Sequence, residues 1–414
     1  MNIEYVLSTA SPTVREILER ALSGHEITRE DGEILLNGLP TDAPAIAAAA
    51  DHVRRARVGD VVSFVVTRNI NFTNVCYMGC RFCGFAKRRE DADAQWIGME
   101  EVAHRAQIAW DRGATEVCMQ GGLHPDLPPH YYSDLVRAVK GQVPGLHVHA
   151  FSPFEIWHGA RKLRVPVIEL LQELKEAGLG SIPGTAAEIL DTEIRRQLTR
   201  DKLTADAWVE TIRAAHSIGL RSTSTMMYGH IDAPRHWASH IELLRSIQKD
   251  TGGFTEFVPL GFVHAQAPLF VERLIPGVRP GATGDEHLKV HAVARLMLAG
   301  WIDNIQVSWV KLGAEMASGL LNAGVNDLGG TLMDESISKS AGANYGEEVT
   351  ASEMVRLIRA ANRTPRRRST LYDALEDYRE HDPAEHGPLK PRASDPLAFL
   401  NRSGSRDLTE MRHG

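Results

Sequence analysis

The sequence predicts an α/β protein organised as a (β/α)8 TIM-like barrel, with a helical extension before it and a helical segment after it. Three observations point there. From Val61 onward, short β-branched runs alternate with helical stretches, as expected of a parallel sheet with helical crossovers. The candidate strands suffice for eight βα units once 61–66 is set aside as supplementary and 69–74 is taken as the first barrel strand. A chain of 414 residues is long for an average domain but ordinary for one large barrel, which is favoured over a half-open doubly wound sheet.

Residues 1–60 read as the helical extension. Pro12 suits a first helical position, and Val14, Ile17, Leu18, Ala21 and Leu22 follow at helical spacing. Thr28 and Asp31 approximate a capping box ahead of Ile34, Leu35 and Leu36, and Gly38 and Pro40 end that helix. A third helix is expected over 44–56. The barrel is assigned to 61–334, with strands at 61–66, 69–74, 116–120, 146–151, 179–182, 221–227, 255–260, 303–308 and near 323–327. Helices are expected at 98–112, 131–140, 166–177, 188–196, 204–218, 235–250 and 285–299. Residues 335–382 read as a helical closure, since Thr350 and Glu353 form a capping box before Met354, Leu357 and Ile358. The Pro- and charge-rich stretch 383–414 is expected to be a flexible tail.

Hydrophobic residues at 43% and charged residues at 24% exclude a wholly disordered or collagen-like chain. Lys plus Arg 46 against Asp plus Glu 53 gives a net charge of -7, the wrong overall sign for a polyanion binder. Arg366-Arg367-Arg368 is the strongest basic run, and it reads as solvent-exposed after a helix. No basic start leads into an apolar run, and no stretch approaches the roughly 20 apolar residues of a spanning helix. The expectation is a cytoplasmic protein with neither nucleic acid nor membrane as partner.

Three of the four cysteines, Cys76, Cys80 and Cys83, fall in a loop after the strand at 69–74, a spacing poor for disulfides and suited to metal. Three thiolates can hold three irons of a 4Fe-4S cluster and leave the fourth iron to an external ligand. A closed zinc site would need a fourth donor. Cys118 is the candidate, but inside the strand at 116–120 it reads as a small buried hydrophobe. Zinc stays open as the alternative.

The Cys-x3-Cys-x2-Cys spacing of Cys76, Cys80 and Cys83 resembles that of the radical S-adenosylmethionine superfamily. The resemblance implies a 4Fe-4S cluster and S-adenosyl-L-methionine as cofactors, an external one-electron donor, and a reaction begun by the 5′-deoxyadenosyl radical. It places Phe82 beside the adenine and Gly121-Gly122 beside the methionine amino group. Glycine suits that place independently, because the missing Cβ permits close backbone approach.

Further segments, Asn69–Asn74, Ser181–Leu190 and Asn326–Ser338, resemble the enzymes that build deazaflavin and menaquinone precursors, most of all the second-subunit family of FO synthase in coenzyme F420 biosynthesis. That resemblance implies L-tyrosine and 5-amino-6-(D-ribitylamino)uracil as substrates, Cα–Cβ cleavage of the first, and transfer of its 4-hydroxybenzyl group to C5 of the second. One cluster loop implies this half-reaction alone, with transient contact to a separate ring-closing subunit. The aminofutalosine synthase and futalosine cyclase relatives share the first strand and the loop, so they remain rivals, as does a noncatalytic protein stabilised by a metal.

Candidates at the barrel mouth are residues near predicted strand ends: Ser152 and Glu155, Thr185 and Glu188, then Met226, Tyr228, His230, His264, Asn326 and Asp327. By resemblance, Ser152 and Glu188 are assigned to S-adenosylmethionine, though Glu188 could equally be a first-turn helix carboxylate. Tyr228, Glu188 and His147 are the catalytic candidates: Tyr228 could relay an electron or proton, and His147 could shuttle a proton. A rim aromatic and a core histidine are their plain alternatives. His147 and His149 share a strand face. Asn69 and Asn71 could reach substrate, whereas Asn74 reads as loop support. Asp327 and Glu335 could act in acid–base chemistry or cap helices.

Overall fold

The structure is a computed structural model and describes residues 3–199 and 202–386. Four helices come first: α1 (Ile3–Ser8), α2 (Pro12–Leu22), α3 (Arg29–Leu36) and α4 (Ala43–Val58). The Thr28 capping box at α3 is complete, with Asp31 N–H donating to Thr28 Oγ1 and Thr28 N–H to Asp31 Oδ2, each at 3.1 Å.

The strands are β1 (Val61–Val65), β2 (Thr67–Asn71), β3 (Glu116–Gln120), β4 (His147–Ala150), β5 (Ser181–Ile182), β6 (Arg221–Tyr228), β7 (Phe254–Gly261), β8 (Asp327–Gly330), β9 (Thr364–Arg368) and β10 (Ala374–Asp377). The helices that follow α4 are α5 (Met99–Asp111), α6 (Tyr131–Gln142), α7 (Pro153–Leu163), α8 (Val167–Ala177), α9 (Thr192–Leu198), α10 (Ala205–Ser217), α11 (Pro234–Thr251), α12 (Pro268–Val271), α13 (Gly284–Leu298), α14 (Trp309–Leu320), α15 (Ser336–Ser340) and α16 (Ala351–Ala360). The N-terminal helices pack on α11 and α13, where the sulfur of Met297 fills the space a Cβ on Gly32 would need.

Strands β2 to β7 form one curled, all-parallel sheet in chain order. Their near-continuous burial follows from having helices outside and an enclosed lumen inside. The expected strand at 303–308 is reduced to two isolated bridges, Phe257 with Ile305 and Gln306 with Asp327, which carry the curl from β7 to β8. Backbone bonds still tie it to both neighbours, with Gln306 N–H donating to Phe257 O and Val307 N–H to Asp327 O, each at 3.0 Å, and side chains reinforce them: Ile305 N–H donates to Asn326 Oδ1 at 2.9 Å and Asn304 Nδ2 donates to Thr255 O at 2.9 Å. Beyond β8 the chain returns to β2, where Asn69 N–H donates to Leu332 O at 2.8 Å. The ring is thereby closed.

A second sheet, in the order β10-β9-β1-β8, lies at the end where the barrel strands begin; β1 runs parallel to both β8 and β9. This corrects two expectations. Residues 335–382 are only partly helical, since β9 and β10 follow α16. Arg366-Arg367-Arg368 is strand rather than a solvated run: Arg366 pairs with Asp377 on β10 at 2.5 Å, and the Arg368 side chain is buried against Asp327. The expected tail lies outside the described residues from 387 on. Among the described residues no helix is long and apolar enough to cross a membrane.

Candidate functional site

Between β2 and α5 the chain makes a long loop that carries the three clustered cysteines. Asn74 clamps its two limbs: Asn74 Nδ2 donates to Asp93 O at 2.8 Å, Gln95 N–H donates to Asn74 Oδ1 at 2.7 Å, and Lys87 N–H donates to Asn74 O at 2.8 Å. Asn74 therefore has the supporting place expected of it. Cys76, Cys80 and Cys83 are free, half-buried, and line a common cavity of about 660 Å³. Cys118 lies elsewhere, pointing into the barrel lumen from β3.

The donor set fits a 4Fe-4S cluster. Three soft thiols face one space, with no fourth Cys or His lining it, which leaves one iron position for an external ligand. A closed zinc tetrahedron would need a fourth protein donor, and the cavity lining supplies neither a fourth Cys nor a His. Burial pushes the Cys83 thiol up to about 11, and it raises Cys76 as well, with Cys80 adding to both. Cationic metal reverses such a preference by stabilising thiolate.

Phe82 sits under the Lys202 ammonium at 4.8 Å, and Lys202 Nζ is 2.6 Å from Glu188 Oε1. The structure thus brings Phe82 and Glu188 to the same side of the cysteine loop. Glu188 is not a first-turn helix carboxylate: it occupies a left-handed loop position at φ 42°, and α9 starts later because Asp191 accepts from Glu193 N–H and Ile194 N–H.

Gly121 and Gly122 lie directly beneath the loop. A Cβ on Gly122 would stand 2.3 Å from Val75 O and 3.0 Å from Cys76 Cβ, and one on Gly121 would stand 2.5 Å from the Phe72 ring. Close packing under the loop is therefore a sufficient physical reason for both glycines. Ser152 caps α7 in a full capping box with Glu155, whose other oxygen accepts Gly121 N–H at 2.9 Å. The pair braces the glycine turn, and burial pushes the Glu155 carboxyl up to about 7. Gly122→Ala is expected to cost about 1–3 kcal/mol of overpacking and to lower the iron bound per chain after anaerobic reconstitution. Unchanged iron content with an unchanged melting midpoint would contradict that account.

The lumen holds a second cavity of about 250 Å³. Strand alternation decides what reaches it: Glu116, Cys118 and Gln120 of β3 and Thr223 and Thr225 of β6 point inward. Met226 and Tyr228 therefore point outward. Tyr228 is buried between helices, its hydroxyl 2.6 Å from His287 Nδ1 and its ring edge-on to Trp237, so its expected place at the mouth is corrected to one in the helix packing. His147 is corrected likewise. It lies at the starting end of β4, and both His147 Nε2 and His149 Nδ1 are 2.7 Å from Ser181 Oγ. Burial holds His149 down at about 4 and lowers His147 in the same direction.

Others leave the mouth too. His230 is buried, with Nε2 3.0 Å from Met227 O. Asn326 accepts from Arg295 Nη2 at 2.6 Å, and Asp327 is engaged by Ser63 and Arg368, both at the opposite end of the barrel. His264 is half-buried in the loop after β7 against Phe270. Thr185 does line the lumen, accepting from Gln120 Nε2 at 2.5 Å. Asn69 and Glu335 meet there through a hydrogen bond, while Asn71 bonds to Gln120 O and Ser336 Oγ. Sequence reasoning missed Lys202, which carried no local signal, and Lys311, whose signal was a lone cation in the apolar run Trp309-Val310-Lys311-Leu312.

Residues 70–244 match the family model for the radical SAM superfamily, and residues 251–381 match that for the CofH/MqnC C-terminal region. The chain is 53% identical over 370 residues to an FO synthase of Streptomyces avermitilis, covering 89% of this chain and 42% of that protein. It is 47% identical over 363 residues to the 5-amino-6-(D-ribitylamino)uracil--L-tyrosine 4-hydroxyphenyl transferase of Methanothermobacter thermautotrophicus, covering 88% of this chain and 98% of that protein. The chain thus spans about two fifths of the length of the FO synthases it matches. In fold it resembles the FeFe-hydrogenase maturase HydG from Carboxydothermus hydrogenoformans, with a TM-score of 0.68 at 13% identity over 90% of this chain and 86% of that one.

Proposed function

Because the chain belongs to the radical SAM superfamily, we propose that it cleaves L-tyrosine at Cα–Cβ and joins the 4-hydroxybenzyl group to C5 of 5-amino-6-(D-ribitylamino)uracil, in the route to FO. The observation that carries this reading is the set of three free thiols around one cavity, joined to a chain that matches nearly the whole length of the archaeal transferase. The family's 4-iron cluster and S-adenosylmethionine, when bound, supply one-electron hydrogen abstraction.

The rest of the task falls to the protein. Cys76, Cys80 and Cys83 hold the cluster, and the Asn74 clamp and the Gly121-Gly122 turn fix the loop that presents them. Phe82, Lys202 and Glu188 form the adjoining wall, where an adenosine base and hydroxyls would find a ring and a carboxylate. The lumen keeps the second half of the chemistry away from bulk water. An external donor supplies the electron, a separate ring-closing subunit takes the product in transient contact, and a reducing cytoplasm suits the free thiols.

Anaerobic turnover of the reconstituted enzyme with both substrates tests the reading. The expected products are 5′-deoxyadenosine and an adduct with the mass of hydroxybenzyl plus ribitylaminouracil. A product carrying the adenosyl group covalently would instead favour an aminofutalosine synthase.

A further inference from the structure

The lumen contains charges that the cluster site does not use. Lys311, at the start of α14, keeps part of its surface free, and that surface faces the lumen cavity. Among the described residues its hydrogen bond is to Ser338 Oγ at 3.1 Å, a neutral partner for an ammonium. Burial lowers its pKa, opposed by the nearby Glu335 charge. On the same cavity Asn69 is buried with Oδ1 lacking any partner, while its Nδ2 donates to Glu335 Oε2. Enclosed donors and acceptors left in this state are costly unless something else completes them.

The chain is also forced to put Glu335 there. Leu332, Met333 and Asp334 all have positive φ, at 67°, 22° and 74°, and Arg68 Nε holds Asp334 Oδ2 at 2.8 Å. Three successive left-handed residues without glycine cost backbone strain that ordinary packing does not call for.

Resting on the function proposed above, we infer that Lys311 and Ser338 bind the α-carboxylate of tyrosine, while Asn69 Oδ1 and Glu335 bind its α-ammonium. The spare lone pairs of Glu335 suffice, since each oxygen accepts one bond already. Val258, Leu260 and Val310 give the same cavity an apolar wall for the ring. The ribitylaminouracil has no carboxylate to match a cation. S-adenosylmethionine has one, but the cysteine cavity and the lumen cavity share no lining residue.

The test is equilibrium binding to anaerobically reconstituted holoenzyme, wild type against Lys311→Met and Glu335→Gln. The ligands are tyrosine, tyramine, 3-(4-hydroxyphenyl)propionate and S-adenosylmethionine. Lys311→Met removes an unpaired enclosed charge, so iron content is retained and the melting midpoint of the ligand-free protein does not fall. It weakens tyrosine and the propionate on the order of 100-fold while leaving tyramine and S-adenosylmethionine unchanged. Glu335→Gln gives the complementary pattern, weakening tyrosine and tyramine but not the propionate. If wild type binds tyrosine and Lys311→Met binds it equally, the anchor is wrong and the reaction stands; loss of S-adenosylmethionine affinity in Lys311→Met also overturns the anchor. If wild type binds S-adenosylmethionine but not tyrosine, the proposed reaction falls and the anchor with it.

Discussion

Single replacement of Cys76, Cys80 or Cys83 by alanine is expected to reduce S-adenosylmethionine cleavage on the order of a thousandfold or more, because a three-thiolate site has no spare ligand. The structure removes the usual escape route. Cys118 is the remaining cysteine of the chain, and it points into the lumen from β3, where burial pushes its thiol well above the ordinary range. It cannot reach the cavity that the other three line without rebuilding the sheet. Cys118→Ala is therefore expected to keep its iron and to lose only about 1 kcal/mol of packing. Iron and sulfide per chain, measured with 5′-deoxyadenosine formation under strict anaerobiosis, separate the two classes. Full iron in Cys80→Ala, or lost iron in Cys118→Ala, would show that the ligand set is misassigned.

The cysteine loop was legible because its chemistry is local: the spacing is in the chain before any folding. The long parallel strands were legible from their β-branched runs. What was illegible depended on direction and on distance along the chain. Parallel strands are buried on both faces, so nothing in Arg221–Tyr228 says whether odd or even positions enter the lumen, and Tyr228 fell on the helix side. Asp327 was expected at the end of a strand near 323–327, but β8 starts at Asp327, and that shift moves the residue from the mouth to the floor. β9 was hidden by its composition. Thr364-Pro365-Arg366-Arg367-Arg368 has the look of a solvated run, and what makes it a strand comes from elsewhere in the chain: β1 pairs with its backbone, and Asp327, Glu256 and Asp377, from three separate segments, neutralise Arg366 and Arg368.

That floor gives the second large effect, on stability rather than catalysis. Arg368 Nε is 2.6 Å from Asp327 Oδ2 and Nη2 is 3.0 Å from Oδ1, Glu256 Oε2 lies at 3.5 Å, and the guanidinium stacks at 3.9 Å on the Tyr372 ring. Arg368→Met keeps the stem and removes the charge, leaving Asp327 and Glu256 enclosed together. Breaking a buried pair in this way costs about 3–5 kcal/mol, a large share of the roughly 5–15 kcal/mol that holds a domain. The loss should also depend on pH. Burial already raises Glu256 to about 7, against the lowering effect of Arg368, so removal of Arg368 raises it further. A carboxyl raised in the folded state favours folding at low pH and loses that contribution as pH climbs through its folded value. The variant should therefore be weakest near pH 8 and regain part of its stability near pH 6, where Glu256 holds its proton. Urea midpoints at both pH values measure this. A deficit that is equal at the two, or absent, would mean that Arg368 is not what neutralises the barrel floor.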